Sequence, residues 1–285
     1  MRTGLSSNLS KDAITAKVSH FYDLGSPLYL EVYGENIHDG YYVTGKESRR
    51  EAQENLTRYI AGKARIKEGS RILDVGCGMG GSSIWLATNL KAKTVGITIS
   101  PAQVEIARKL AKERKADSSF LLMDAENMHF PGTFDVMWVV ASSTHFQDQK
   151  KFVKSATALL DRGGKFVVFD WMSNESVADI KNDRHLKPVA EGMLLYSLCS
   201  INSYLKWLIQ AGYRITCSED ITDRTIQTWD DALSIIRDPS IWRLAPRVTK
   251  NELSEILHFF KSVNAMKLAM KKGKMKSGLI VAEKI

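Results

Sequence analysis

The part of the sequence that most limits the possible fold is an apolar run that contains an acidic residue and leads directly into a glycine-rich turn. Residues 72–81 read ILDVGCGMGG. The pattern predicts a β-strand, a tight turn and the start of a helix, because glycine accepts positive φ and lets bare backbone approach a ligand. Asp74, at the strand end, would then stand beside that ligand.

Short apolar runs recur along the chain with helical stretches between them. Strands are predicted at 71–75, 93–97, 119–123, 134–140, 165–169, 213–219 and 278–282. Alternation with helices, such as 82–90 and 102–114, is typical of a parallel sheet covered on both faces. Ser100 and Pro101 have the residue types of a helix N-cap and first helical position. The sequence therefore predicts a doubly wound α/β fold.

Three stretches do not follow this alternation of strands and helices, and they divide the chain into a lid, a core and a cap. We predict a helical lid at 1–62, and helical cap segments at 172–198 and 220–276 over the ligand edge of the sheet. The core would then comprise 63–171, 199–219 and 277–285. Several large apolar side chains at or within the cap segments suggest a lipophilic pocket, although buried packing would explain some of them equally well: Trp171, Met172, Met193, Leu194, Leu195, Tyr196, Trp229 and Trp242.

Composition narrows the classes of protein and of partner. The 285-residue chain has a formal net charge of +8, which would suit a nucleic-acid partner, but five of its lysines cluster within residues 267–276. Such a cluster is more typical of a solvated helix face. Three widely spaced cysteines favour a reducing, cytoplasmic location over a disulfide framework. No run of eighteen apolar residues occurs, so we expect a soluble protein without a membrane span.

The turn at 72–81 resembles the first motif of class I S-adenosylmethionine-dependent methyltransferases. The resemblance implies a Rossmann-like, seven-stranded sheet with an antiparallel last strand, and S-adenosylmethionine as cofactor. It places the cofactor against Asp74 and the turn glycines Gly76, Gly78 and Gly80. A tight turn alone would also require these glycines.

After the second predicted strand, the sequence departs from the acidic residue that this family commonly carries. Residues 95–103 read VGITISPAQ, which closely resembles the γ-tocopherol methyltransferase branch, where threonine takes that place. The resemblance implies that Thr98 and Gln103 lie along the ribose and methionine portions of the cofactor. A helix cap and a surface glutamine are the alternative reading.

Asp124, Ala125 and Glu126 follow the third predicted strand and resemble the family's adenine-edge motif. There a carboxylate accepts from the exocyclic amine, and the next backbone N–H meets a ring nitrogen. Capping of a helix is the alternative role for Asp124. Ser142, after the fourth strand, is a further candidate contact to the cofactor.

The segment before the first strand is rich in aromatic residues. Residues 21–23 (FYD) and 33–42 (YGENIHDGYY) resemble the tocopherol and tetrahydroisoquinoline N-methyltransferase branch. That resemblance implies a lid, with Tyr22 against the methionine end of the cofactor and Tyr41 near the acceptor. Aromatic patches are more often packed core than ligand contacts.

His145 follows the fourth predicted strand and Asp170 ends the fifth, so both belong at the ligand edge of the sheet. Methyl transfer to a hydroxyl needs a base, and a histidine oriented by a carboxylate suits neutral pH. The natural-product O-methyltransferases that this chain resembles carry this pair. A packing or capping role for His145 and a turn role for Asp170 remain alternatives. The other histidines show no metal-ligand spacing, so we expect no metal.

The favoured function is methyl transfer to a hydroxyl or activated ring carbon of a lipophilic small molecule in specialised, natural-product metabolism. The alternatives are N-methylation of a small amine, an RNA methyltransferase and an inactive binding subunit. Enzymes that methylate base amines usually carry Asp or Asn, Pro-Pro and an aromatic residue where this chain has Ala141 to Thr144. Cyclopropane synthases favour Glu-His where it has Thr144 and His145. We expect no nucleic-acid partner, and a homodimer is left open.

Overall fold

The computed structural model describes residues 10–174, 180, 182–237 and 249–285. Over these residues the chain forms one seven-stranded sheet in the order β3-β2-β1-β4-β5-β7-β6. The first five strands run parallel, and β7 is antiparallel to both β5 and β6. The strands are β1 (Arg71–Val75), β2 (Lys93–Thr98), β3 (Ser118–Leu122), β4 (Phe134–Val140), β5 (Leu160–Ser173), β6 (Tyr213–Asp220) and β7 (Met275–Lys284). The predicted doubly wound fold is confirmed.

Ten α-helices accompany the sheet in the described part of the chain. They are α1 (Lys11–Val32), α2 (Arg49–Ala64), α3 (Gly81–Leu90), α4 (Pro101–Glu113), α5 (Gln149–Thr157), α6 (Lys187–Gly192), α7 (Ile201–Gln210), α8 (Thr222–Thr225), α9 (Thr228–Arg237) and α10 (Lys250–Lys271). Local signals set their starts. Ser100 caps α4 by accepting from the Gln103 backbone N–H at 3.2 Å, with Pro101 at the first position, as predicted.

Side chains alternate across the sheet, so each strand contributes to two cores. Leu73 packs with residues of α5 and α7 on one face, whereas Ile72 packs with Leu56 and Ile60 of α2 on the other. All four side chains are completely buried. Burial on both faces explains why these strands are apolar runs rather than alternating ones.

A third apolar cluster lies among α6, α9, α10 and the start of β7, and it includes Val189, Trp229 and Met266. This cluster occupies the predicted cap segments. The expected helix at 172–198 is confined to Lys187–Gly192 among the described residues. The first two residues of that segment belong to β5, which continues to Ser173 and pairs there with Met275. Residues 1–9, 175–179, 181 and 238–248, with Trp242, lie outside the described residues. The division into lid, core and cap stays a prediction.

Helix α1 is fastened to the start of α4. Asp23 Oδ1 accepts from the Ser100 hydroxyl at 2.5 Å and from the Ala102 N–H at 3.1 Å, and the Ser19 hydroxyl donates to the Ile99 carbonyl at 2.8 Å. These bonds hold α1 across the carboxyl edge of β2. No helix in the described part of the chain is long and apolar enough to cross a membrane.

Two glycines with opposite surroundings test the packing. A Cβ on Gly96 in β2 would lie 2.6 Å from Phe120 Cδ1 and 2.8 Å from Cys77 Sγ, whereas one on Gly62 in α2 would meet nothing within 4 Å. We expect Gly96→Ala to lower the free energy of unfolding by about 1–3 kcal/mol through overpacking. Gly62→Ala should raise it by up to about 1 kcal/mol through helix propensity. Urea unfolding measures both, and equal effects would contradict this packing.

Candidate active site

A cavity opens at the carboxyl ends of β1, β2 and β4, where the strand order reverses. Open α/β sheets bind ligands at this point, because the segments after neighbouring strands diverge to opposite faces. The predicted cofactor residues that line the cavity are Tyr22, Asp74, Gly76, Gly78, Thr98, Gln103, Asp124, Ala125, Glu126 and Ser142. Gly80 is the one predicted contact that does not line it.

The glycine turn forms the floor of this cavity. Gly76 has φ +73°, and a Cβ there would lie 2.3 Å from Ser142 Cβ. Ser142 also donates to the Val75 carbonyl at 2.7 Å, so the ends of β1 and β4 touch. A Cβ on Gly78 would face open space, with Ile37 as its nearest neighbour at 3.8 Å. Gly80 instead precedes α3 and is packed against Phe120.

Asp74 is buried beneath the turn, and its Oδ2 accepts from the Ser83 hydroxyl at 2.6 Å. Burial raises the pKa of Asp74 to about 7, although the Ser83 hydrogen bond lowers it. One serine hydroxyl provides little compensation for a buried carboxylate. Asp74 therefore has acceptor capacity left for hydrogen-bond donors of a ligand.

Thr98 and Gln103 are joined at the end of β2. The Thr98 hydroxyl donates to Gln103 Oε1 at 2.7 Å and accepts from the Ser100 N–H at 3.2 Å. Both side chains are buried. Within the described residues the Gln103 amide nitrogen has no hydrogen-bond partner, so its two N–H groups are available to the cavity.

Asp124 caps the short 3₁₀ turn Ala125–Asn127, so the capping role that the sequence left open is present. Its two oxygens accept from the Glu126 N–H at 2.9 Å and from Asn127 Nδ2 at 2.8 Å. Glu126 in turn accepts from the Gln147 and Asp148 N–H groups, both at 3.2 Å. Each carboxylate oxygen has two lone pairs, so capping leaves Asp124 able to accept from a ligand.

A second cavity adjoins the first. Its walls are mainly aromatic rings from α1, β5, α9 and α10. The residues that line both cavities are Tyr22, Ile37, His38, Ala141 and His145. The aromatic residues of the second cavity are Phe21, Tyr22, Tyr29, Tyr33, Trp171, Trp229 and Phe259.

His145 lies at the junction, in the 3₁₀ turn Ser143–His145. Its Nδ1 is 3.0 Å from the Leu194 carbonyl, and its Nε2 is 2.7 Å from the Tyr22 hydroxyl. Because a carbonyl only accepts, Nδ1 carries the proton, and Nε2 is a free base that accepts from Tyr22. Burial lowers the pKa of His145, which opposes protonation at neutral pH.

The expected pairing of Asp170 with His145 is wrong. Asp170 Oδ2 accepts from the Ser143 N–H at 2.6 Å, the Ser143 hydroxyl at 2.7 Å and the Thr144 N–H at 3.3 Å. Its Oδ1 accepts from the Trp171 N–H at 2.8 Å. Burial raises the pKa of Asp170 to about 6, against these hydrogen bonds, which lower it. Asp170 fixes the turn that carries His145 and does not contact the imidazole.

Backbone strain is concentrated around His145. Among the described non-glycine residues, five have positive φ, and three of these are at helix C-termini: Arg65, Lys91 and Lys115. The other two are Ala141, at +54°, and Leu194, at +51°. Ala141 begins the turn before His145, and Leu194 supplies the carbonyl that it binds. Strain of this kind persists where surrounding structure enforces it, and it clusters at functional sites.

The aromatic residues of the segment before β1 fall into two groups by location. Phe21, Tyr22, Tyr29 and Tyr33 line the second cavity, as a lid over the acceptor would require. Tyr41, expected near the acceptor, instead stacks on Tyr59 with ring centroids 4.4 Å apart and lines neither cavity.

Sequence reasoning missed Asp39, which lines the second cavity. The one signal in the sequence that could have indicated it is the position of this carboxylate within an aromatic-rich segment, residues 33–42. Among the described residues no group of three His, Cys, Asp or Glu side chains could hold a metal ion.

In sequence, the chain matches one protein family and several individual relatives. Residues 72–164 match the family described as "Methyltransferase domain". The chain is 31% identical over 215 residues to 27-O-demethylrifamycin SV methyltransferase of Amycolatopsis mediterranei (strain S699), across 74% of this chain and 78% of that protein. It is 27% identical to the chloroplastic tocopherol O-methyltransferase of Arabidopsis thaliana, across 96% of this chain and 84% of that protein.

Among solved structures, the [4+2]-cyclase SpnF superposes with a TM-score of 0.78 at 26% sequence identity. The match covers 95% of this chain and 96% of that one. The fold of that protein therefore extends over almost the whole of this chain.

The arrangement at His145 predicts a distinctive titration. By ¹⁵N NMR we expect a neutral Nδ1–H tautomer at pH 7 and a titration midpoint below the ordinary 6.5. Tyr22→Phe removes a donor that favours the neutral ring, so the pKa of His145 should rise. Tyr59→Phe, which removes a phenol bound to Glu219, is the matched control and should leave it unchanged. An Nε2–H tautomer in the wild type would contradict the assignment.

Proposed function

Because the chain belongs to the class I S-adenosylmethionine-dependent methyltransferases, in the branch of the tocopherol and natural-product enzymes, we propose that its adjoining cavities receive the methyl donor and a lipophilic acceptor. The first cavity would hold S-adenosylmethionine and the second the acceptor. The observation that carries this proposal is His145, whose basic Nε2 lies where the two cavities meet.

The residues of the first cavity fit the cofactor chemically. Bare backbone at Gly76 and Gly78 would let the methionine end approach, and Tyr22 would cover it. The free N–H groups of Gln103 and the oxygens of Asp74 and Thr98 suit ribose hydroxyls and the amino group. Asp124, Ala125 and Glu126 would surround the adenine side, whereas Ser142, which packs against Gly76, would lie toward the methionine end. Gly80 supports the turn from outside the cavity.

A lipophilic acceptor is supported by the surroundings of the second cavity. Its aromatic walls continue into an apolar cleft between α1 and α10, formed by Phe21, Leu24, Gly25, Leu28, Tyr29, Phe259 and Phe260. The two spaces share Phe21, Tyr29 and Phe259. A ring system could therefore occupy the cavity while an apolar substituent lies in the cleft. The names of two relatives give 27-O-demethylrifamycin SV and tocopherol as the compounds that those enzymes methylate.

The proton path follows from the hydrogen bonds. The bound donor supplies an electrophilic methyl group on a sulfonium. An acceptor hydroxyl beside Tyr22 can donate to its phenol oxygen while the phenol proton passes to His145 Nε2. The imidazole then carries the positive charge, and Asp170 acts indirectly by holding Ser143 and Thr144. A base favours a hydroxyl or an activated ring carbon, whereas a neutral amine needs one less.

Three less favoured functions differ in specific ways. An amine acceptor would show little dependence on His145. An RNA partner would use the basic cluster, but Lys267, Lys274 and Lys276 form ion pairs with Asp230, Asp183 and Asp220. An inactive subunit would not be expected to keep the glycine turn and Asp124. The cytoplasmic location, the role in specialised metabolism and the homodimer remain predictions.

Cofactor binding can be tested at Gly78. Gly78→Arg should abolish calorimetric binding of S-adenosylmethionine and S-adenosylhomocysteine, since its side chain would enter the first cavity. Gly69→Arg is the matched control, because Gly69 also has positive φ but is exposed and far from the cavity. We expect that variant to bind normally. Normal binding by Gly78→Arg would show that the cofactor lies elsewhere.

The transfer reaction can be tested with labelled methyl groups against phenols, prenylated rings, amines and RNA. We expect label in a lipophilic phenol or activated ring. His145→Ala should retain cofactor binding and slow transfer on the order of 10²-fold in single-turnover assays. Unchanged turnover in this variant would disprove the base assignment. Label in amines alone or RNA alone would replace the favoured acceptor.

A further inference from the structure

The second cavity contains a carboxyl group that the proposed proton path does not use. Asp39 is 1% exposed and lies in the wall of this cavity. Its Oδ2 accepts from Trp171 Nε1 at 3.1 Å and from the Ser277 hydroxyl at 3.3 Å. Oδ1 has no hydrogen-bond partner among the described residues. The two donors orient the carboxyl, so one oxygen remains for a ligand.

No nearby cation in the described structure neutralises Asp39. None of the described residues that line the cavity is Lys or Arg. Arg49 stacks on the Tyr33 ring, 4.6 Å from its centroid, but it donates to the Val32 carbonyl and does not line the cavity. Asp170, which also raises the pKa of Asp39, is another acid.

The neighbouring histidine does not supply a positive charge either. His38 Nδ1 lies 2.8 Å from the Asp39 backbone carbonyl, and its Nε2 lies 3.2 Å from the Ser82 hydroxyl. Burial lowers the pKa of His38 to about 4, so the ring is neutral at physiological pH. Burial also favours the neutral form of Asp39 and raises its pKa to about 7, whereas a bound cation would favour the charged form.

The Trp and Tyr rings that line this cavity together with Asp39 are of the kind that attract cations. Trp171 and Trp229 stand 5.4 Å apart, and Tyr29 and Tyr33 form an edge-to-face pair at 5.9 Å. Electron-rich faces of Trp and Tyr attract ammonium groups, and they do so more strongly where water is excluded. An acid and several aromatic rings that line one cavity form a site whose charge is complementary to a cation.

We propose that Asp39 and the rings of Tyr29, Tyr33, Trp171 and Trp229 form a recognition site for an ammonium group carried by the acceptor. This inference rests on the proposed function, since it assigns the second cavity to the acceptor. The site is separate from Tyr22 and His145, beside which the acceptor would receive the methyl group. It selects acceptors that combine a lipophilic body with a basic nitrogen.

Two phenols of nearly equal shape provide the probe: 3-(trimethylammoniomethyl)phenol and 3-neopentylphenol differ in the charge of one group but hardly in volume, and the methylene spacer keeps the phenol of the cation mostly protonated at the pH used. Each is titrated into the protein with and without S-adenosylhomocysteine, at about pH 8, above the pKa of about 7 of Asp39. We expect the wild type to prefer the cation by on the order of tenfold or more. Asp39→Asn should lower this ratio several-fold, to what the rings alone provide, while affinity for 3-neopentylphenol stays unchanged.

Asp135→Asn is the matched control. Asp135 accepts from the Arg71 N–H at the opposite end of the sheet, so its loss should preserve the preference. If Asp39→Asn no longer binds S-adenosylhomocysteine and has misfolded, Trp171→Phe serves instead. It removes the 3.1 Å donor but keeps a ring, and should reduce the preference several-fold.

Equal binding of the two phenols by the wild type, or tighter binding of the neutral one, overturns the inference. So does a preference that Asp39→Asn leaves undiminished. Failure of the wild type to bind S-adenosylhomocysteine would instead contradict the proposed function. The titrations without that ligand still decide whether Asp39 recognises cations.

Discussion

The site depends on the contact between the ends of β1 and β4. These strands are neighbours in the sheet, but the segments that follow them turn to opposite faces. Ser142 crosses the gap to the Val75 carbonyl, and Gly76 has room for no side chain beside it. One contact thus sets the glycine turn against the turn that carries His145. The distance between the methyl donor and a base would follow from it.

Three buried acids lie along this edge of the sheet, and their hydrogen bonds separate their roles. Asp170 has four donors, three of them from the Ser143 and Thr144 turn, and is a structural anchor. Asp74 has one donor and Asp39 has two, all on a single oxygen of each. Burial raises the pKa of all three carboxyls. Acids with unused acceptor capacity next to a cavity are the ones expected to meet a ligand.

Much of the fold could be predicted because its signals are local. The bounds of β1 and β4 agree with the predicted ones, and the Ser100–Pro101 start of α4 was readable from two residues. Residues that follow successive strands were brought to one cavity by the topology of a parallel sheet. The family comparisons agree with the resemblance that these motifs carry.

The partner of His145 could not be predicted in the same way. Its Nδ1 binds a main-chain carbonyl 49 positions away, and a carbonyl leaves no trace in the sequence. The expected Asp170 had the right location but was already engaged by Ser143 and Thr144. Asp39 was overlooked because its surroundings come from β5 and β7, far along the chain. The predicted location of Tyr41 near the acceptor was wrong because its ring stacks on Tyr59 of α2.

Orientation of His145 by the backbone of Leu194 has a consequence for how such an enzyme can change. Any amino acid at position 194 presents a carbonyl, so the side chain there can be exchanged without removing the group that sets the histidine tautomer. The constraint falls on backbone shape, since φ is +51° at this residue, a conformation that glycine and asparagine adopt most easily. If the second cavity receives the acceptor as we propose, mutations around position 194 can therefore reshape that cavity and leave the orientation of His145 unchanged.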